Sequence, residues 1–255
     1  MTKAHGALAA VLIAAGISLG VHRADSLSNH STTTKAPVAN ADSANTRPEW
    51  MSLYDSLDLK KQGLSERAFH YAWFGFQKMK LDNPIMAICD FTQSSRNKRL
   101  YVIDLLKKKL LYNTYVAHGR NSGNEFAERF SNVNSSYQSS LGFYKTLGTY
   151  QGKHGLSLRL EGLEKGINDR ALERAIVMHG ADYVSEAFIK NTGRLGRSLG
   201  CPAVSIADSK KVINLLYNGA GLFIYSGDQH YLEKSALLAG MEAVTDVQAL
   251  GVSRL

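Results

Sequence analysis

Residues 85–117 read IMAICDFTQSSRNKRLYVIDLLKKKLLYNTYVA. Three short runs rich in Ile, Val, Leu and Tyr, at 85–91, 100–106 and 110–117, are separated by polar material at 94–98 and 107–109. Runs of this length and composition, broken by turn residues, predict three successive strands forming an antiparallel meander. Cys89 lies inside the first run, where it reads as a small buried apolar residue. The cluster Lys107, Lys108, Lys109 reads as a solvated turn.

Upstream of Pro84 the texture is helical. Residues 49–59 and 65–80 have helical character; in the second, Ser65 can cap, and Ala68, Phe69, Ala72, Trp73, Phe76 and Met79 recur at helical spacing. That stripe reads as core packing. Downstream, further strands are predicted at 156–160, 175–178, 202–204 and 221–225. Between the last two, residues 205–217 fit a helix with Ser205 as cap, Asp208 three residues on, and Gly219 as stop. Strands outnumber helices after Pro84, so the chain is expected to be mainly β (α+β). A small helical subdomain at 49–82 precedes a catalytic domain at 83–228, and 229–255 form a C-terminal extension of unassigned order.

The N-terminus has its own logic. Lys3 precedes an apolar run from Ala7 to Val21, the order of a secretory signal, so residues 1–24 read as a signal peptide or N-terminal anchor. The run is shorter than the roughly 20 residues that cross a bilayer comfortably, which favours cleavage over permanent attachment, although a cut after Ala24 would leave His22 where a small residue is expected. Residues 25–48, rich in Ser, Thr, Asn and Ala, read as a disordered linker. The expected location is therefore the periplasm or cell envelope. Any membrane attachment would run through this segment alone.

The 255 residues are 44% hydrophobic, enough for a full core. Net charge is +8, but the basic residues are dispersed, and no zinc-ligand spacing or RNA-binding signature accompanies them. The charge therefore points to an anionic polymer and away from nucleic acid, with no metal and no cofactor expected. The 2 cysteines, Cys89 and Cys201, first suggest a disulfide in an oxidising compartment.

Residues 193–204 read GRLGRSLGCPAV. Glycines at this density admit unusual backbone angles and let main-chain N–H groups approach a ligand, so Cys201 is expected at an exposed tight turn. Arg194 and Arg197 lie close by, and positive charge lowers a thiol's pKa below its ordinary ~8.5. A nucleophilic thiol needs a base within reach. His179 follows the apolar run 175–178 and precedes Gly180, at the end of a predicted interior strand; a satisfied core histidine is the alternative reading.

The pair His179-Gly180 followed by Ser198-Leu199-Gly200-Cys201 resembles the signature of the L,D-transpeptidases (YkuD-like domains). Val116-Ala117-His118-Gly119 and Ser139-Ser140-Leu141-Gly142-Phe143-Tyr144 resemble two upstream segments of the same family, so the likeness covers about residues 85–225. Leu199 stands where the commoner pattern has a second histidine, and Pro202-Ala203 stand where an Arg or Asn often follows. The turn is closer to the Ser-x-Gly-Cys-Pro subgroup, the murein L,D-transpeptidase catalytic domain proteins.

The resemblance implies an L,D-transpeptidase-like β-sandwich or barrel and a cysteine acyltransferase acting on peptidoglycan stem peptides, with Cys201 as nucleophile and His179 as base. The expected oxyanion donors are the N–H groups of Cys201 and Gly200, with Ser198 holding the turn and Gly180 beside the base. A backbone carbonyl near the Ser198–Cys201 turn is expected to orient His179, with Asp182 a weaker candidate. Lacking a cation after the cysteine, the chain is expected to meet the substrate carboxylate with Arg197, Arg194 or Arg120. His118 is assigned to the cleft, with a structural role as the alternative. Competing readings are an L,D-carboxypeptidase or cysteine amidase on the same scaffold, and a noncatalytic wall-binding module.

Overall fold

A computed structural model describes residues 47–241. The expected signal or anchor, nearly all of the expected linker, and residues 242–255 of the expected extension lie outside the described residues.

The predicted meander is present: β1 (Ile85–Asp90), β2 (Leu100–Asp104) and β3 (Lys109–Thr114) pair antiparallel in succession. The remaining strands are β4 (Gly142–Gly152), β5 (Gly155–Gly162), β6 (Val177–Ala181), β7 (Ala203–Ser205) and β8 (Gly221–Tyr225). Together they form one eight-stranded sheet in the order β3-β2-β1-β8-β4-β5-β6-β7. Its two edges nearly meet. The chain leaving β3 bridges β7 through Ala117 N–H to Ala203 O (2.8 Å), and Gly119 bridges Ser198, so the sheet curls into an almost closed barrel.

β1, β2 and β8 are buried along almost their whole length, which explains their unbroken apolar runs: both faces are covered. Helix α1 (Glu49–Ser56) rests on α2 (Glu66–Met79), and α2 packs on β1 and β8. Ser65 caps α2 as expected, its Oγ accepting from Ala68 N–H at 3.1 Å. Gly75 sits inside α2, where glycine costs about 1 kcal/mol relative to alanine. Its place follows from packing, because a Cβ there would lie 2.0 Å from the Phe143 ring. Trp50, Leu53, Phe69 and Ala72 share one core cluster with the sheet, so the helices at 49–79 are packed into the same core as the strands.

The helix predicted after Ser205 is α4 (Ile206–Leu216), which packs on β6, β5 and β1. Ser205 Oγ accepts from Asp208 N–H at 3.0 Å, while the Asp208 carboxylate accepts from Tyr112 and Thr114 hydroxyls at 2.6 Å each, tying the helix to β3.

Three elements lack a clear sequence signal. β4 is 11 residues of GFYKTLGTYQG, with three glycines and no apolar alternation. The short helices α3 (Glu186–Thr192) and α5 (Gln229–Lys234) carry no amphipathic stripe. Residues 229–241 are ordered by a buried hub: Glu164 accepts from Phe143 N–H (2.8 Å), Tyr231 OH (3.1 Å) and Ser235 Oγ. Among the described residues no helix is long and apolar enough to cross a membrane.

Candidate active site

The parallel pairing of β6 with β7 places His179 opposite Ala203, and the turn entering β7 brings Cys201 to the same end of the sheet. Both side chains line one cleft of about 640 Å³.

The turn is held by Ser198. Its N–H donates to His118 O (2.9 Å), its carbonyl accepts from Arg120 N–H (2.8 Å), and its hydroxyl donates to Cys201 O (2.6 Å) while accepting from Gly200 N–H (3.1 Å). Gly200 adopts φ +123°, and a Cβ there would lie 2.9 Å from Gln138 O and 3.1 Å from Ile176 Cδ1. Both conformation and space require glycine. One expectation is corrected here. The Gly200 N–H is already committed to Ser198 Oγ, whereas the Cys201 N–H has no acceptor among the described residues, so Cys201 alone of the two presents a free donor.

His179 is buried, and its Nδ1 lies 2.9 Å from Gly180 O. A carbonyl only accepts, so Nδ1 carries the proton and Nε2 keeps its lone pair. The orienting carbonyl thus belongs to the adjacent residue of β6 and not to the turn where it was expected, and Asp182 is not its partner. The His154 ring stacks on His179 with centroids 4.4 Å apart and planes at 22°. Burial lowers the His179 pKa; the Gly180 bond opposes this, and His154 and Lys153 add to it. The imidazole is therefore neutral at pH 7.

Cys201 is half-buried and unbridged, as Cys89 is buried and unbridged, so the disulfide reading does not hold. Its Sγ accepts from Val177 N–H (3.5 Å) and donates to Ala175 O (3.8 Å). The expected lowering of its pKa is overturned: burial raises it, against smaller opposing effects from Val177 N–H, Arg174 and Lys153. The reason is where the flanking arginines point. Arg194 Nη1 donates to Leu195 O (2.7 Å), and Arg197 Nη1 donates to Arg120 O (3.2 Å), Gly123 O (2.9 Å) and Asn124 Oδ1 (2.9 Å). Desolvation therefore outweighs the charge that adjacency in sequence suggested.

The other expected ligands of substrate divide. Arg197 lines the cleft with one nitrogen tied to residues 120–124. Arg194 does not line it, nor does Arg120, whose guanidinium lies 4.3 Å over the Tyr137 ring. His118 is corrected from cleft to core. It is fully buried, its Nδ1 accepts from Arg99 Nη2 (2.8 Å), its Nε2 reaches Gly123 O (3.4 Å), and burial and Arg99 push its pKa down to about 3. Arg99 is itself buried, donating also to Val116 O (3.1 Å) and Gln93 O (2.8 Å).

Several cleft residues escaped the sequence, among them Lys153, His154, Arg174 and Tyr183. Gly152 and Gly155 flank Lys153-His154 and are register partners, a two-residue hairpin turn that could have been read from the glycine spacing. Arg174 gave no local sign; it donates to Ser131 O (2.8 Å), Gln138 O (2.7 Å), Ser136 Oγ (3.3 Å) and Ser140 Oγ, fastening residues 131–140 beside the turn. Among the described residues no cluster of His, Cys, Asp or Glu is arranged to hold a metal ion.

A family model described as the L,D-transpeptidase catalytic domain matches residues 60–225. No curated protein matches the chain. Among solved structures, an L,D-transpeptidase from Mycobacterium smegmatis is 10% identical over 56% of this chain and 59% of that one, with a TM-score of 0.35. An L,D-transpeptidase from Stackebrandtia nassauensis is 17% identical over 65% and 69%, with a TM-score of 0.34. The helical cell shape determining protein Pgp2 from Campylobacter jejuni is 13% identical over 65% and 58%, with a TM-score of 0.38. The chain thus spans less than two thirds of the mycobacterial and Campylobacter proteins.

Proposed function

The chain belongs to the L,D-transpeptidase catalytic domain family, and from that premise we propose that it is a cysteine acyltransferase acting on peptidoglycan stem peptides, with Cys201 as nucleophile and His179 as base. The observation that carries this reading is the convergence of Cys201 and His179 on one cleft with the imidazole tautomer set by Gly180 O. What separates His179 from the core histidine His118 is that it lines the cleft that Cys201 also lines.

Both groups start neutral, because burial raises the thiol and lowers the imidazole. Attack is therefore coupled to proton transfer. As the Cys201 sulfur bonds to the carbonyl carbon of the amide before the terminal D-Ala, Nε2 of His179 takes the thiol proton. The carbonyl electrons move onto oxygen, where the Cys201 N–H is the available donor; loss of one such donor typically costs about 10²–10³ in rate. Collapse breaks the C–N bond, His179 returns the proton to the departing amine, and a thioester remains. An amine of a second stem then attacks the thioester, giving its proton to His179, and the C–S bond breaks to restore the thiol. Water in the amine's place yields hydrolysis. A substrate outside the cytoplasmic membrane accords with reading residues 1–24 as an export signal.

Incubation with a carbapenem or a tetrapeptide stem, followed by intact mass, tests this. The expected result is one covalent adduct that disappears in Cys201→Ala and persists in Cys89→Ala. An adduct retained in Cys201→Ala overturns the assignment. Recovery of cross-linked rather than shortened stems from wall material separates transfer from hydrolysis.

A further inference from the structure

Among the described residues the cleft is lined by Lys153, Arg174 and Arg197, by two histidines, and by no Asp or Glu. Three cations around a site without a carboxylate call for an anionic substrate group, but their donors differ in availability. Arg174 spends its guanidinium on four acceptors around residues 131–140. Arg197 holds the 120–124 segment through Nη1. Lys153, exposed at the tip of the β4–β5 hairpin, has no hydrogen bond or ion pair among the described residues.

We propose that Lys153 is a specificity-determining residue that binds the carboxylate of the peptide's leaving amino acid. This rests on the acyltransferase reading above. The placement comes from its neighbour: Lys153 and His154 are the two turn residues between the register partners Gly152 and Gly155, and His154 stacks on His179. The hairpin tip is thereby seated at the base. His179 delivers its proton to the leaving amine, and in an amino acid the carboxylate is attached to the same carbon as that amine. A cation at the hairpin tip meets that group. The Lys153 charge is also felt at both the Cys201 thiol and the His179 imidazole, as this position requires. An ammonium on a flexible stem grips a carboxylate as a point charge, without the planar fork of arginine.

The test compares kcat/KM for a tetrapeptide stem and for the same peptide ending in a carboxamide. Wild type is expected to favour the free acid by about tenfold or more, the scale of a charge-assisted hydrogen bond. Lys153→Gln is expected to bring the ratio of acid to carboxamide rates to about one, and Lys153→Arg to retain most of the preference. Any general effect on His179 acts on both substrates and cancels in the ratio. Protection of Cys201 from iodoacetamide by each peptide gives a second readout independent of turnover: the acid should protect wild type better than Lys153→Gln. If Lys153→Gln keeps the wild-type preference in both assays, or wild type shows none, the assignment of Lys153 is overturned while the nucleophile stands. A wild-type enzyme that forms no thioester with either peptide overturns the acyltransferase reading, and this inference with it.

Discussion

His118 offers a prediction whose size follows from the structure. It is a neutral imidazole with no exposure, facing the buried guanidinium of Arg99, and its pKa is pushed from 6.5 down to about 3. Below pH 6.5 the unfolded chain takes up a proton at this site that the folded protein refuses, so stability present at neutral pH is lost as pH falls toward 3. Integrating that difference from pH 7 to pH 4 gives about 3 kcal/mol from this residue alone. Replacing it with Gln removes the titration while keeping an acceptor for Arg99 and a donor for Gly123 O. The variant should cost about 1–3 kcal/mol at pH 7 through imperfect hydrogen bonding. Its further loss between pH 7 and pH 4 should be smaller than that of wild type by about 3 kcal/mol. Urea unfolding at the two pH values measures both quantities. Equal losses in wild type and His118→Gln would refute the claim that a buried neutral His118 supports the chain beneath the Cys201 turn.

Burial raises the Cys201 thiol, so its alkylation rate should stay low at neutral pH and climb with a midpoint above ~8.5; a midpoint below that value would mean the flanking arginines act on it after all. Gly200→Ala forces a Cβ to within 2.9 Å of Gln138 O at φ +123° and displaces the turn bearing the Cys201 N–H. It should cost about 1–3 kcal/mol in stability and about 10²-fold or more in acylation rate, measured by thermal melting and adduct formation; an unchanged rate would remove the turn from the mechanism. His154→Ala removes both the stacked ring and a positive influence that lowers the His179 pKa, so the acid limb of kcat/KM should move to higher pH. His154→Phe should keep the stack and restore kcat more than it restores the pH profile, and identical profiles in all three proteins would leave the stack without a role.

What local patterning can express was legible in the chain. The meander at 85–114, α2 with its Ser65 cap and α4 with its Ser205 cap each rest on residue periodicity and turn chemistry within a few positions. The sequence by itself also singled out Cys201 and His179, because a glycine-dense turn and a histidine closing an apolar run are local features, although the structure places His179 in the middle of β6 rather than at the strand's end. β4 was not legible: its outer half pairs with β5 in a largely exposed ribbon, so selection for burial leaves little alternation to read.

Everything that depends on direction or depth was decided by tertiary structure. Arg194 and Arg197 are near Cys201 in sequence, yet their donors go to Leu195 O and to residues 120–124, while Lys153 and Arg174, remote in sequence, supply the positive charge felt at the thiol. His118 and His179 are both histidines followed by glycine, and only packing separates them, one sealed against Arg99 and the other lining the cleft beneath His154. The physical reason is that a charge acts through distance and solvent exclusion, and both are set by the closing of the sheet on itself. Local pattern pointed to Cys201 and His179 as candidates, and desolvation sets the direction in which each pKa moves.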